Sequence, residues 1–144
     1  IDFCISFVIL IGMMVWYKIV PTMNIVYLPL FLLLAFTAAL GIGLWLSALN
    51  VEFRDVFYIV PFLVQAGQYI SPVAYSSSIV PEKWRLLYSL NPMVGVIDGF
   101  RWSLLGTVTP HWTGVIVSAV SVLIIFMGGL LYFRKMERTF ADVI

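Results

Sequence analysis

The feature that most constrains this chain is the long stretch from Lys18 to Glu52, because no charged side chain occurs between those two residues. An uncharged apolar run of about 18 or more residues can cross the hydrocarbon core of a bilayer as a helix. Only 10% of the chain is charged, compared with about 25% in a soluble domain. Because so few polar side chains cannot cover a soluble globule, the sequence predicts an all-α integral membrane protein.

Four transmembrane helices are predicted, at residues 3–17, 27–49, 56–72 and 114–133. The first is short, and we expect the chain to begin inside it, because Ile1 already stands in an apolar run. A cleaved signal peptide is the alternative, although the basic segment and the small-residue cleavage site are missing. Small residues of the second span, Gly41 and Gly43 among them, would let another helix approach closely. We expect residues 1–144 to form the C-terminal part of one membrane domain in a longer protein.

The third predicted span carries polar groups that are costly next to lipid. Gln65 and Gln68 lie within it, together with Pro61 and Gly67. Amide groups inside a bilayer lack water as a hydrogen-bonding partner, so this helix should face protein or a water-filled path. Two interpretations stay open, because the amides can either pair with neighbouring helices or line a pore.

Basic residues set the predicted orientation of the chain. Three bases fall within residues 134–138, directly after the last span. Cytoplasmic loops of membrane proteins are enriched in Lys and Arg, so the C-terminus is predicted to be cytoplasmic. Counting spans then places the loop at residues 50–55 in the cytoplasm and residues 18–26 and 71–113 outside.

The external segment before the last span is predicted to contain two short helices. A proline suits the first position of a helix, and the first helix is predicted over residues 81–90. It should stop at Asn91, because a residue before proline is displaced from the helical conformation. The second is predicted over residues 92–106, ending on a C-terminal glycine. Both are apolar, which predicts a re-entrant hairpin at residues 81–106 that packs on protein or lines a water-filled cavity.

Charged and aromatic side chains near this hairpin are candidate functional residues. Asp98 and Arg101 are three residues apart on one helical face, where an ion pair would lower the cost of a low dielectric. Such a pair either pins the hairpin or contacts a substrate. The aromatic rings either anchor the segment at the membrane interface or stack on sugar faces. The candidate residues along a gate or path are Gln65, Gln68, Tyr69, Trp84, Tyr88, Asp98, Phe100, Arg101 and Trp102.

The sequence offers no catalytic set that would indicate an enzyme. The single histidine, His111, stands in a loop at the membrane edge, so no Ser/His/Asp set can be nominated. Cys4 lies in an apolar span without a basic neighbour that would make it a thiolate. A GxxxxGK[ST] phosphate loop is missing, and a single cysteine excludes multi-cysteine metal sites. We therefore expect no cofactor or metal on this chain, and its net charge of +1 indicates no nucleic-acid partner.

Several short motifs occur in a fixed order along the chain. They are NVEFRD at residues 50–55, Ser71-Pro72, Asn91-Pro92-Met93, DGFR at residues 98–101, and FRKMERTFADVI at the end. As an ordered set they resemble the membrane permeases of ABC transporters that export O-antigen, teichoic-acid or capsular polysaccharides on lipid carriers. The resemblance covers essentially the whole chain, which would form the last four of six spans. Many family members carry Glu in place of Asp98, a difference that keeps the charge.

This resemblance implies a transport subunit of the bacterial cytoplasmic membrane. Two permease copies and two ATP-binding subunits would form the working unit, with ATP on the partner and the path of the lipid-linked glycan between the permeases. The hairpin at residues 81–106 resembles the external gate. The loop at residues 50–55 resembles the cytoplasmic loop near the ATPase, and its candidate contact residues are Asn50, Glu52, Arg54 and Asp55.

Three other functions are weighed against polysaccharide export. An ABC exporter of drugs or other small hydrophobic molecules shares the architecture of the last spans. A membrane-embedded glycosyl- or acyltransferase would need converging ionisable residues, and only Glu82, Asp98 and Arg101 are available. A non-transporting anchor or assembly protein would tolerate changes at Gln65, Gln68 and the hairpin.

Overall fold

The computed structural model of this chain describes residues 2–106 and 109–141, with side chains as far as Glu137. This part contains α-helices, two 3-10 turns and no β-strand, which confirms the all-α class. Residues 1, 107–108 and 142–144 of the predicted domain, and the side chain of Arg138 in the basic cluster, lie outside the described part. The α-helices are α1 (Asp2–Trp16), α2 (Leu28–Glu52), α3 (Val56–Ile70), α4 (Glu82–Tyr88), α5 (Pro92–Leu105) and α6 (Trp112–Ala141), and the turns are Met23–Tyr27 and Ser77–Ile79.

Helices occupy all four predicted spans, and two of them have the length of a membrane-crossing helix. These two are the apolar segments Met23–Glu52, with 30 residues, and Trp112–Glu137, with 26. Helices α1 and α3 have 15 residues each. At a rise of 1.5 Å per residue, such a helix extends about 22 Å, less than the ~30 Å hydrocarbon core. The predicted number of four crossings therefore stays a prediction.

The last helix is longer than the predicted span at residues 114–133. Helix α6 continues through the basic cluster at residues 134–138 to Ala141. Arg, Lys, Met and Glu all favour the helical conformation, and neither Gly nor Pro occurs there to stop it. Helix α6 therefore extends beyond the end of its hydrophobic segment.

Local capping residues set the ends of the two hairpin helices. The side chain of Asn91 accepts a hydrogen bond of 3.0 Å from the backbone N–H two residues further on, and a proline comes directly after it, so α5 starts where predicted. Gly106 ends α5 with a φ of 62°, in the left-handed conformation typical of helix C-termini. Helix α4 is shorter than predicted, and Pro81 precedes it as the N-terminal cap instead of filling its first position.

Helices α2, α5 and α6 form the core of the described part. Between α2 and α6, the backbones touch at Gly41, where an added Cβ atom would lie 2.9 Å from Cα of Phe126. Between α5 and α6, an added Cβ atom on Gly95 would lie 2.6 Å from Cβ of Ser118. Gly43, two residues after Gly41, has no neighbour within 4 Å of the same atom. The predicted close approach therefore occurs at one of the two glycines of the second span.

Helices α2 and α6 run parallel, and different segments of the chain gather at their two ends. Near the C-terminal end of α2, the rings of Trp45 and Tyr132 stack with centroids 5.1 Å apart. The Tyr132 hydroxyl donates to Oε2 of Glu52 at 2.8 Å. At the opposite end, Thr22 donates to the carbonyl oxygen of Ser103 at 3.2 Å. The hairpin and the residues before α2 therefore share one end of the helices, and the loop after α2 lies at the other.

Helices α1 and α3 lie at the edge of this core. Helix α3 contacts α2, and α1 shares no extensive interface with another described element. Their apolar side chains are largely exposed, and Trp16 for example is 80% exposed. An apolar surface of this extent belongs against lipid or against other protein.

Candidate functional site

Arg101 fastens the hairpin to the linker, which we define as residues 71–80 between α3 and α4. Its Nη1 atom donates to the carbonyl oxygen of Tyr75 at 2.8 Å, and Nη2 donates to that of Val73 at 2.9 Å. A planar guanidinium suits this arrangement, because its donors form a rigid fork. The predicted ion pair with Asp98 is wrong, since within the described residues neither side chain has an oppositely charged partner at salt-bridge distance. Arg101 pins the hairpin through backbone carbonyls instead.

Three further hydrogen bonds connect the hairpin to the end of α3 and to the linker. The Tyr88 hydroxyl donates to the carbonyl oxygen of Ile70 at 2.9 Å and lies 2.6 Å from the Tyr75 hydroxyl. The Asn91 side chain donates to Oγ of Ser71 at 3.1 Å. Burial and the hydrogen bond with Tyr75 raise the pKa of Tyr88 above its usual value, so this phenol stays protonated and remains a donor.

Ser118 of α6 holds the hairpin from the other side. Its fully buried hydroxyl donates to the carbonyl oxygen of Ser89 at 2.8 Å and accepts from the backbone N–H of Gly95 at 3.1 Å. One side chain thus satisfies a carbonyl after α4 and an amide in the first turn of α5. The corner between the two hairpin helices is therefore fixed to α6.

We expect the substitution Ser118→Ala to destabilise the folded protein by about 1–3 kcal/mol, because it leaves a buried N–H and a buried C=O group without their partner. Ser121→Ala on the same helix is the matched control. The Ser121 hydroxyl bonds only to the carbonyl oxygen of Val117 in its own helix, at 2.9 Å. Thermal unfolding of the purified full-length protein measures both, and equal melting temperatures would contradict the proposed role of Ser118.

An aromatic cluster joins the hairpin to the beginnings of α2 and α6. The ring centroid of Trp102 lies 5.4 Å from that of Tyr27 and 5.1 Å from that of Trp112, with an edge-on angle of 81° in the second case. Such geometry is favourable for aromatic pairs. Trp102, a candidate path residue, therefore packs between helices and is half-buried.

A cavity of about 600 Å³ opens between the hairpin, the linker and the residues before α6, and we call it the cleft. Its volume falls in the range of about 300–1,000 Å³ that is typical of small-molecule sites. Its polar lining consists of Tyr75, the serines at 76–78, Arg85, Asp98, Arg101, Thr109 and His111.

The structure brings together some candidate path residues and separates others. Tyr88, Asp98 and Arg101 are close enough for both charges to act on the Tyr88 hydroxyl. Phe100 is half-buried on α5 beside them. Four candidates stand apart from this group with exposed side chains, namely Gln65, Gln68, Tyr69 and Trp84. Neither glutamine amide has a hydrogen-bonding partner within the described part of the chain, so the two interpretations of these amides stay open.

The second group of candidates lies in the last turn of α2 and in the short loop after it, and all four are exposed. The predicted loop at residues 50–55 is therefore helical as far as Glu52, which accepts the hydrogen bond from Tyr132 and ties this end of α2 to α6. Asp55 directly precedes α3 but caps no backbone N–H with its side chain. The group consists of Asn50, Glu52, Arg54 and Asp55, and within the described residues the side chains of Asn50, Arg54 and Asp55 form no hydrogen bond.

Sequence reasoning did not single out three important residues. Tyr75 is one of many aromatic residues along the chain, yet it bonds to both Tyr88 and Arg101. Arg85 and His111 line the cleft without having been predicted to do so. The sequence did contain an indication for Arg85, because a charged arginine among apolar helices costs free energy unless it pairs with another group or takes part in function.

The side chains that line the cleft offer hydrogen bonds and charges. Within the described residues, no group of three or more His, Cys, Asp or Glu side chains is placed to hold a metal ion. The expectation that this chain binds no cofactor stays a prediction.

Comparison with known proteins places these features in context. The family model described as ABC-2 type transporter matches residues 1–105. An O-antigen export system permease protein RfbA of Klebsiella pneumoniae is 26% identical over 129 residues, covering 89% of this chain and 49% of that protein. A protein of the same name from Myxococcus xanthus is 31% identical over 127 residues, covering 86% and 48%. The inner membrane transport permease YadH of Escherichia coli K12 is 34% identical over 64 residues, covering 44% and 25%. The chain thus spans about half the length of the O-antigen permeases that it matches.

Proposed function

Because this chain belongs to the ABC-2 type transporter family, whose model matches residues 1–105, we propose that it is part of the permease of an ATP-driven exporter. The cargo in this proposal is a lipid-linked polysaccharide, which crosses the bacterial cytoplasmic membrane. A permease of this family is a transport component, so covalent chemistry is not expected of it. ATP binding and hydrolysis would take place on a separate partner subunit.

The observation that carries the choice of cargo is the extent of similarity to O-antigen permeases. Two of these relatives match 89% and 86% of the chain, which is enough to include the hairpin at residues 81–106. The transport permease YadH matches 44% of it. The hairpin also supplies aromatic and hydrogen-bonding side chains, which are suitable for contact with sugars.

In the proposed architecture, all four apolar segments cross the membrane, and residues 1–144 form the C-terminal part of one permease domain. The grouping of segments at the two ends of α2 and α6 supports this topology. The hairpin, at residues 81–106, shares its end with the segment before α2 and would be external. Glu52 and Tyr132 mark the other end, which would be cytoplasmic together with the C-terminus. The short helices α1 and α3 would complete their crossings against lipid and other parts of the protein.

The proposed working unit contains two copies of the permease and ATP-binding subunits. The exposed segment at residues 50–55, which comprises the last turn of α2 and the loop after it, would face the ATP-binding subunit, because it lies at the cytoplasmic end in this topology. The exposed faces of α1 and α3 would contact the rest of the permease, its second copy or lipid. The glycan would pass between the two permease copies.

Within this chain, the hydrogen bonds around the linker would transmit movement to the gate. The end of α3 is bonded to the hairpin through Tyr88, and the linker is bonded to it through Asn91 and Arg101. A shift of α3 on ATP binding by the partner would therefore reach the hairpin without an intervening flexible segment. Two states of the permease with different hairpin positions would suffice for gating.

Depletion of the complete protein in its host tests the cargo. We expect surface polysaccharide to fall and the intracellular pool of lipid-linked polysaccharide to rise, because synthesis continues while export stops. Gel analysis of surface glycan and mass spectrometry of lipid extracts measure the two pools. A plasmid-borne copy of the wild-type gene serves as the control and should restore both.

Two other results would reject polysaccharide export. A fall in both pools would indicate an enzyme or assembly factor that acts before export. Unchanged pools would favour the alternative, an exporter of drugs or other small hydrophobic molecules, and loss of efflux of a hydrophobic dye would then support that function.

A further inference from the structure

The cleft contains an arginine whose hydrogen-bonding capacity is largely unused. Arg85 reaches the carbonyl oxygens of Ser78 and Val80 only at 3.5 Å, which is long for an N–H···O bond. Its Nε atom is buried and has no partner within the described residues. A guanidinium has five N–H donors. Nη2 makes only these two long contacts, and Nη1 makes no hydrogen bond with a described residue, so Arg85 retains N–H donors for an acceptor in the cleft that it lines.

The cleft also contains a carboxylate without a donor. Asp98 lines the same cavity, is half-buried, and makes no hydrogen bond or ion pair with any described residue. A carboxylate accepts hydrogen bonds through two oxygens, so it can take neighbouring hydroxyl groups of one ligand. The cleft thus holds a free donor and a free acceptor together.

The net charge of the lining is positive. Arg101 also faces the cleft, and its bonds to two backbone carbonyls do not neutralise its charge. Arg85 and Arg101 together outweigh the single negative charge of Asp98, and the His111 imidazole adds a further polar group. Hydroxyl groups from Tyr75 and the serines at 76–78 complete the wall. The preferred ligand carries an anionic group next to hydroxyl groups.

We propose that the cleft binds an acidic sugar unit, with its acidic group on Arg85 and its hydroxyl groups on Asp98. This inference rests on the proposed function, in which that unit belongs to the exported polysaccharide. The charged group would receive charge-assisted hydrogen bonds from the guanidinium, which are stronger than neutral ones. Asp98 would orient the ring by accepting from two of its hydroxyl groups.

A phospholipid headgroup fits this cleft less well, although it also combines phosphate and hydroxyl groups. Nine of the twelve residues that line the cleft carry polar side chains, and five of those side chains end in a hydroxyl group. So many separate hydrogen-bonding groups match the several hydroxyl groups of a sugar ring better than the compact phosphate of a lipid.

The test uses the purified full-length transporter complex in phosphatidylcholine nanodiscs and three probes, namely glucuronate, glucose and inorganic phosphate. Saturation-transfer NMR titrations give the affinity for each probe. The informative variants are Arg85→Gln and Asp98→Asn. Their matched controls are Lys83→Gln and Glu82→Gln, because both residues are exposed on α4 and neither lines the cleft.

We expect the wild-type complex to bind glucuronate at least about tenfold more tightly than glucose, since one charge-assisted hydrogen bond contributes about 1.5–3 kcal/mol. Arg85→Gln should remove this difference. Asp98→Asn should weaken the binding of both sugars and leave that of phosphate unchanged or stronger. The Lys83 and Glu82 variants should bind all three probes as the wild type does.

Several results would overturn the inference. Equal affinity for glucuronate and phosphate would indicate a simple anion site, and loss of glucuronate binding in phosphatidylglycerol nanodiscs would indicate a lipid site. Absence of glucuronate binding, combined with a positive export test, would reject the acidic-sugar site and leave the proposed export function intact. Glucuronate binding that depends on Arg85, combined with unchanged polysaccharide pools on depletion, would reject the proposed function and leave the ligand chemistry of the cleft intact.

Discussion

Replacing Gly41 with leucine is expected to prevent accumulation of folded protein. An added Cβ atom at this position would lie 2.9 Å from Cα and 3.0 Å from N of Phe126, and both are backbone atoms that cannot rotate away. On the facing helix, an added Cβ on Gly129 would lie 2.8 Å from the Gly41 carbonyl oxygen, so the contact is tight in both directions. Overpacking in a close-packed interior costs about 1–3 kcal/mol and more where the backbone must move. Helices α2 and α6 would have to separate.

The matched control is Gly43→Leu on the same helix. Its Cβ atom would have no neighbour within 4 Å, and leucine favours helix over glycine by about 0.5–1 kcal/mol. We therefore expect this variant to accumulate normally. Yield and monodispersity of the full-length permease by size-exclusion chromatography, and then thermal unfolding, compare the two. If Gly41→Leu matched Gly43→Leu in yield and melting temperature, the close contact between α2 and α6 would be disproved.

The substitution Arg101→Gln is expected to release the linker from the hairpin and to reduce export strongly, while the permease still assembles. It removes the charged donor from the carbonyl oxygens of Tyr75 and Val73. Hydrogen bonds to charged groups contribute about 1.5–3 kcal/mol each, so local opening of the linker should become at least about tenfold more frequent. Hydrogen exchange at residues 71–80 measures that opening, and surface polysaccharide measures export.

The variant Arg101→Lys separates the geometry of the fork from the charge. Lysine keeps the positive charge but cannot present two parallel donors. We expect it to show increased exchange in the linker, close to that of Arg101→Gln, and an intermediate level of export. If Arg101→Lys had wild-type hydrogen exchange in the linker and wild-type export, the positive charge alone would be sufficient. The paired hydrogen bonds of the guanidinium to the two carbonyl oxygens would then not be required.

Structural features that depend only on residues close together in sequence could be predicted from the sequence. The helices at all four apolar segments follow from the length and hydrophobicity of each run. The start of α5 after Asn91 and its end at Gly106 follow from a capping side chain, a proline and a glycine within one turn of each end. Where local signals were weaker, the bounds differed, as at Pro81 and beyond residue 133.

The partners of the charged residues could not be predicted in the same way. Spacing by three residues places Asp98 and Arg101 on one helical face, which made an ion pair the simplest expectation. Arg101 instead bonds to carbonyl oxygens 26 and 28 residues away. Those acceptors belong to the backbone of the linker, which any residue type could supply, so the sequence contains no sign of them.

The sequence by itself determined that this protein is an all-α membrane protein with two short helices before its last helix, because hydrophobic runs, prolines and capping residues act locally. That these two helices form a re-entrant hairpin stays a prediction. Only the tertiary structure decided that Gly41 touches another backbone while Gly43 does not, since both glycines look alike along the chain. It also decided that Arg85, Asp98 and His111 line one cleft. The linker and the residues before α6 close that cleft through contacts between distant segments, and such contacts follow from packing in three dimensions.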